Sequence, residues 1–223
     1  MATQWIGDRQ GCILQVCPSL RMFTLGLHEK NTYRCWIVGF QRGLRTNLKE
    51  LFKAVFTGLI QALGTIRSLG SDRFDVSCYA DASDAILQDL AIGDSVAVDG
   101  ICLTVEEILS KGFVATASDE TLSRTTLGHP EQRAAYVNLE TSMRVGSKLG
   151  GHFVTGHIDT IGCLQESVQT PNSWEMLFTA PNNLTDQWQH QISRYIVPKG
   201  SIAVNGVSLT VADCDPQCTW FKV

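Results

Sequence analysis

The chain reads as an all-β protein built from two tandem, homologous small β-barrels, the second incomplete. Three observations predict this. The thirteen residues Gly93 to Val105 (GDSVAVDGICLTV) return as Lys199 to Val211 (KGSIAVNGVSLTV) with seven identical positions, where typical residue frequencies would give roughly one. A second pair, FTGLIQALGTI from Phe56 and VTGHIDTIGCL from Val154, keeps Thr, Gly, Ile and Gly in register. Short alternating apolar runs parted by turn residues follow each in the same order. Five or six such strands with one small helix in under about a hundred residues are the pattern of a small closed barrel.

The hairpin at the centre of each half is the clearest element. A β-branched run, then Asp99-Gly100 or Asn205-Gly206, then another such run predicts a two-residue turn with a fixed register. Pairing outward sets Val98 opposite Ile101, Ala97 opposite Cys102, Val96 opposite Leu103 and Ser95 opposite Thr104. One face is then apolar: Val96, Val98, Ile101, Leu103 and Val105. The other carries only Ser95, Ala97, Cys102 and Thr104, and the second hairpin repeats this split with Ser201, Ala203, Ser208 and Thr210. Singly, such a face is a strand turned to water. Its recurrence favours a ligand face, because small hydroxyl and thiol side chains leave room for a flat molecule.

In chain order, residues 1–54 stand apart, with eight Lys/Arg against three Asp/Glu, a balance of +5 that leaves −9 for the rest of a chain whose total is −4. Their charges are scattered, unlike a basic nucleic-acid arm. Leu48 to Phe56 fits a short helix. A transit peptide would be Ser-rich, and Ser19 is the one serine of the segment. An N-terminal extension with no packed structure of its own is expected, and plastid targeting follows only if it is a transit peptide.

The first barrel is expected over 55–151: the strand from Phe56, a strand at Phe74 to Ala80, a short helix near Ser83, the hairpin, a strand from Phe113, and Ala135 to Glu140. The second is expected over 152–223, with Trp174 to Pro181 as strand and Leu184 to Tyr195 as helix. Its text stops at Trp220 to Val223, where the strand matching Phe113 to Ala117 is starting. Partners for everything matching Ala117 to Glu140 are expected to be missing, leaving strand edges unpaired and Ile202, Val204 and Leu209 uncovered. On that expectation the chain binds ligand through its first half and turns over weakly.

Hydrophobic content of 44% supports sizeable cores. No apolar run reaches transmembrane length and the N-terminus lacks the order of a secretory signal, so a cytoplasmic location with no membrane partner is expected. Eight cysteines show no disulfide rhythm. Only Cys214 and Cys218 are close, without a histidine to complete a zinc set, so reduced thiols and no metal are expected. His152 and His157, five apart on extended chain, point to opposite faces.

These residues carry a family resemblance. FTGLI, the [DN]-G-x-[CS]-LTV repeat, ETLSRTTLG and GGHFVTGHID, in this order from Val55 to Val223, resemble riboflavin synthase of the alpha-chain type. The resemblance implies dismutation of two 6,7-dimethyl-8-ribityllumazine molecules to riboflavin and 5-amino-6-(D-ribitylamino)uracil, the last step of riboflavin biosynthesis, without metal or cofactor. It implies two similar six-stranded Greek-key-like β-barrels and a homotrimer held by a C-terminal helix, with paired ligands between the first barrel of one chain and the second of a neighbour. It also implies a family start at Val55, making residues 1–54 an addition.

Substrate-binding positions carried over are Gly58, Leu59 and Ile60; Cys102, Leu103 and Thr104; Thr116, Ala117, Ser118, Asp119, Glu120 and Thr121; Gly156, His157 and Ile158; Lys199; and Ser208, Leu209 and Thr210. Of these, His157, Ser208, Thr210 and Cys102 are the catalytic candidates. His157 is the natural proton carrier near neutral pH, and Cys102 reads as a ligand contact in preference to a nucleophile. The alternative is a non-catalytic lumazine- or flavin-binding protein of the same superfamily. A nucleic-acid-binding barrel is disfavoured, since the candidate face has no aromatic residue and the barrels are acidic.

Overall fold

A computed structural model of the chain describes residues 12–16, 56–79, 83–129 and 136–223, the first of these as backbone. In the first half, β2 (Ala62–Ser68), β3 (Arg73–Cys78), β4 (Ser95–Val98), β5 (Ile101–Leu109), β6 (Gly112–Thr116) and β7 (Val137–Thr141) close into an antiparallel barrel in the order β2-β3-β6-β5-β4-β7. Preceding all of these in the chain is β1 (Cys12–Val16). Two short helices, α1 (Ser83–Leu87) and α2 (Asp119–Arg124), lie between strands.

The β4–β5 hairpin has the register that the alternation dictates, Val98 with Ile101 through Ser95 with Thr104. Both turn residues take positive φ, Asp99 at 50° and Gly100 at 84°, which is the mirror-image turn whose twist matches the strands. Val96, Val98, Ile101, Leu103 and Val105 are all buried with Phe74, Val76, Phe113 and Leu139. A bulge between Val105 and Glu107 bends β5 where it passes from β4 to β6.

The second half consists of β8 (Thr160–Gln169), β9 (Trp174–Thr179), β10 (Ser201–Val204), β11 (Val207–Thr210), β12 (Asp213–Cys214) and β13 (Trp220–Lys222). With β1 they form one sheet in the order β11-β10-β1-β8-β9-β13-β12. Residues 182–195 are helical, as successive 3-10, α, π and 3-10 turns. The core is built on aromatic stacking: Phe178 lies 5.2 Å and Trp188 6.2 Å from Phe221, ring centre to ring centre. The Trp188 indole N–H is satisfied by donating to the Cys218 carbonyl at 2.7 Å.

This sheet is not closed, since its end strands β11 and β12 do not pair with each other. The strand expected to start at Trp220 to match Phe113 is present, as β13 paired with both β9 and β12. One detail differs from the sequence expectation. The edges of β8 and β10 are not unpaired, because β1 lies between them and bonds to both, and Ile202 and Val204 are fully buried. Absence of packed structure in residues 1–54 is therefore corrected for Cys12–Val16. A five-residue run, CILQV, has no period long enough to announce a strand. The helix expected from Leu48 falls, over 48–55, outside the described residues.

The halves pack about a pseudo-twofold axis, with equivalent residues meeting each other. Phe56 and Val154 form an antiparallel bridge, each amide donating to the other's carbonyl at 2.7 and 3.0 Å. The hairpin tips also touch: a Cβ on Gly100 would stand 2.7 Å from the Gly206 nitrogen, so no other residue fits there without displacing backbone. Phe56, Ala97, Val154 and Ala203 form a buried cluster between the halves. The small-residue faces, read from the sequence as ligand faces, are thus in part a contact between the halves. Their central alanines are sealed by the opposite half, and only the outer ends remain for a ligand.

Candidate functional site

Each half's leading segment crosses to the hairpin of the other half. The Cys102 amide donates to the Gly156 carbonyl at 3.0 Å, and the Ser208 amide to the Gly58 carbonyl at 2.8 Å. Both glycines take positive φ, 80° and 74°. A Cβ would lie 2.5 Å from the Cys102 Cβ at Gly156, and 2.6 Å from the Ser208 Cβ at Gly58. The sequence reading grouped these residues by repeat, but the structure exchanges them. His157 and Ile158 line the cavity at the first hairpin, while Leu59 and Ile60 follow Gly58, which bonds the second, because the crossing segments run antiparallel past each other at Phe56 and Val154.

On the first hairpin this exchange builds a cavity of about 230 Å³, lined by Ile101, Cys102, Ser118, Glu120, Thr121, Arg124, Thr125, Gly156, His157 and Ile158. Its wall is α2, whose N-cap Ser118 hydroxyl accepts the Thr121 amide at 3.2 Å; the hydroxyls of Ser118 and Thr121 are 2.9 Å apart. Glu120 and Arg124, one turn apart, pair at 3.3 Å on the rim. His157 is exposed, while Ile158 is buried in the first barrel's core although it belongs to the second repeat.

On the second hairpin, the His152 Nδ1 and Ser208 Oγ lie 2.7 Å apart. Thr210 is exposed on β11 opposite Ser201. Burial pushes the His152 imidazole below its ordinary value, which favours the neutral ring that shares a hydrogen bond with Ser208. Across the axis, burial pushes the Cys102 thiol up, against a smaller downward pull from the Ser95 hydroxyl. It is therefore a thiol and not a thiolate at neutral pH, suited to contact and not to attack.

The crossing loop of the first half is held by a buried carboxylate. Glu140 Oε1 accepts the Thr57 amide at 2.7 Å and the Thr57 hydroxyl at 2.6 Å, and Oε2 accepts the Gly58 amide at 3.0 Å. Burial raises the Glu140 pKa, and these hydrogen bonds pull it partly back. This anchor was missed by motif reading, although AYVNLE placed it on a strand; nothing local marks which glutamate on a strand faces inward.

Comparison with known proteins agrees with this duplicated geometry. A family model described as the lumazine binding domain matches residues 57–142 and 155–223. Riboflavin synthase of Actinobacillus pleuropneumoniae is 38% identical over 164 residues, covering 73% of this chain and 71% of that protein. That of Photobacterium phosphoreum is 41% identical over 160 residues, covering 70% and 68%. Riboflavin synthase of Saccharomyces cerevisiae is 35% identical over 170 residues, covering 73% and 67%. The chain belongs to the lumazine-binding family, riboflavin synthase type. Among solved structures, LumP complexed with 6,7-dimethyl-8-(1'-D-ribityl) lumazine matches with a TM-score of 0.59 at 21% identity, covering 75% of this chain and 84% of that one, a likeness of fold.

Of the positions that the lumazine-binding resemblance singles out, Cys102, Ser118, Glu120, Thr121, Gly156, His157 and Ile158 come together around the first cavity. Leu103 and Ala117 are in the barrel core, facing away from it. Thr104 is exposed, opposite both Ser95 and Thr116, and the Thr116 hydroxyl donates to Glu106 at 2.9 Å. Asp119 is exposed and lines a different depression, with Leu122 and His129. On the second hairpin Gly58 is beside Ser208, Leu59 is half exposed, and Leu209 packs partly against the second core. Lys199 is exposed on a turn with φ 67°, its amide donating to the Val211 carbonyl at 2.7 Å. Ile101, Arg124, Thr125 and His152 are the additions that the structure makes; His152 was visible in GGHFVTG only as a histidine unable to share an ion with His157.

Proposed function

We propose that each exchanged platform holds one 6,7-dimethyl-8-ribityllumazine and that the chain is a riboflavin synthase. In this reaction one lumazine donates a four-carbon unit to another, giving riboflavin and 5-amino-6-(D-ribitylamino)uracil. The observation that carries this reading is the repeated pairing of a small thiol or hydroxyl, Cys102 or Ser208, with a Thr-Gly-x-Ile segment from the other half, beside a cavity on the first hairpin. Two like sites for one flat heterocycle suit a reaction between two copies of it. Holding the two in reacting geometry supplies about 7–11 kcal/mol of the barrier reduction.

In this reading His157, exposed at the cavity, carries the proton of the lumazine C7 methyl group. His152, Ser208 and Thr210 supply a neutral imidazole and two hydroxyls at the other site, and Cys102 acts as a contact. The two sites differ at His157 and Leu59, equivalent positions, as donor and acceptor sites would. The assembly that brings a first-barrel ligand against a second-barrel ligand is a homotrimer, supported by the family resemblance.

The test is formation of riboflavin from lumazine, followed by absorbance, alongside equilibrium titration of lumazine. Turnover with Thr210→Phe weakening lumazine binding while the fold is kept supports the proposal. Binding with no turnover would identify a non-catalytic lumazine carrier instead. Unchanged affinity in a folded Thr210→Phe protein would refute the second platform.

A further inference from the structure

In the first barrel the gap between β2 and β4 is filled by β7, with Leu139 opposite Ala62 on one side and Val98 on the other. The corresponding gap in the second sheet lies between β8 and β10, and β1 stands in it, with Leu14 opposite Thr160 and Val204. The correspondence can be read from each flank separately. On the β10 side, Val204 is the repeat equivalent of Val98, so Leu14 takes the place of Leu139. On the β8 side, Gly162 is the equivalent of Gly64; Cys12 is opposite the one and Val137 opposite the other. Both flanks give the same register with no slip. Cys12, Ile13, Leu14, Gln15 and Val16 thus stand for Val137, Asn138, Leu139, Glu140 and Thr141. Leucine is kept, and Gln15 is the amide counterpart of Glu140.

In chain order the two strands have nothing in common, since β7 follows its hairpin while β1 precedes every other element. We infer that Cys12–Val16 is a donated strand, and that the second barrel is a strand acceptor whose groove between β8 and β10 is filled by the N-terminal segment of its own chain. Strands in a sheet are about 4.8 Å apart, so without β1 the two flanks would face each other across roughly 10 Å, each with an unbonded row of N–H and C=O groups. The groove runs beside buried Thr160, Ile202 and Val204. Residues 17–55, 39 in number, have a contour of roughly 130 Å at about 3.3 Å per residue, ample for the donor to reach its own barrel.

Hydrogen exchange on the full chain tests this without any ligand. Amides of Cys12–Val16 should be protected to the same degree as those of β10, and immediate exchange of 12–16 would overturn the inference. Leu14→Pro, which removes a ladder N–H, should speed exchange in Thr160–Gly162 and Ile202–Val204 on the order of a hundredfold and leave β2 and β4 unaltered. Equal protection of β8 and β10 in the variant and the parent would sink the idea. A chain lacking residues 1–17, folded or not, should regain protection in β8 and β10 when refolded with a synthetic peptide of residues 9–19 and not with a scrambled one; no difference between the two peptides would overturn it.

Discussion

Gly156→Ala puts the exchange of leading segments to its most direct trial. At φ 80° an alanine meets the left-handed penalty of about 1–2 kcal/mol, offset by about 0.4–1 kcal/mol from the lower entropy of the unfolded chain. Its methyl would also stand 2.5 Å from the Cys102 Cβ, 2.9 Å from the Cys102 nitrogen and 3.0 Å from Phe56 Cε2. Backbone and a buried ring cannot yield as a flexible side chain does, so overpacking adds about 1–3 kcal/mol. The expected loss is about 2–4 kcal/mol, which for a chain of this size lowers Tm by roughly 5–15 °C. Gly93→Ala is the control. It carries a φ of 94° with nothing within 4 Å of the added carbon, and so meets the backbone penalty without the contact. Urea and thermal unfolding of both variants isolates the contact as their difference, and lumazine titration should show weaker binding in Gly156→Ala alone. Equal stabilities for the two variants would refute the packing of Gly156 on the Cys102 hairpin.

Three further outcomes are expected. Because burial raises the folded pKa of Glu140, its contribution to stability is full below about 4.5, the ordinary value, and is lost as pH rises through the folded pKa; Glu140→Gln should remove that decline in urea midpoints measured across the window, and an unchanged slope would count against a buried carboxylate. His152 has the opposite sign, since its folded pKa lies below 6.5: its contribution is present above 6.5 and is lost as pH falls through the folded pKa, while Ser208→Ala, which deletes the 2.7 Å hydrogen bond, should cost about 1 kcal/mol in denaturant unfolding at pH 7. Lys199 occupies a positive-φ turn position that its repeat equivalent fills with Gly93, so Lys199→Gly should stabilise by about 0.5–1 kcal/mol, and weaker lumazine binding in this more stable protein would show that the lysine is kept for the ligand.

Much of this protein is determined by local text. The hairpin register, the positive-φ turns at Asp99-Gly100 and Asn205-Gly206, and the division of Val96, Val98 and Leu103 from Ala97 and Cys102 follow from a period of two and a two-residue turn, both local properties of the backbone. The duplication follows from repeated motifs, and the proposed ligand class from the family resemblance that those motifs carry. What covers a face is a different matter. Alternation marks Ala97 and Ala203 as lying on the non-core side of their strands, but whether water, a ligand or another half lies there depends on a pairing between residues about a hundred positions apart. The transfer of Gly156, His157 and Ile158 onto the Cys102 hairpin, the inward turn of Glu140 and the seating of Cys12–Val16 between β8 and β10 are all of this kind. Strand pairing takes its hydrogen bonds from backbone groups that every sequence possesses, so the choice of partner is made by shape and burial over the whole fold.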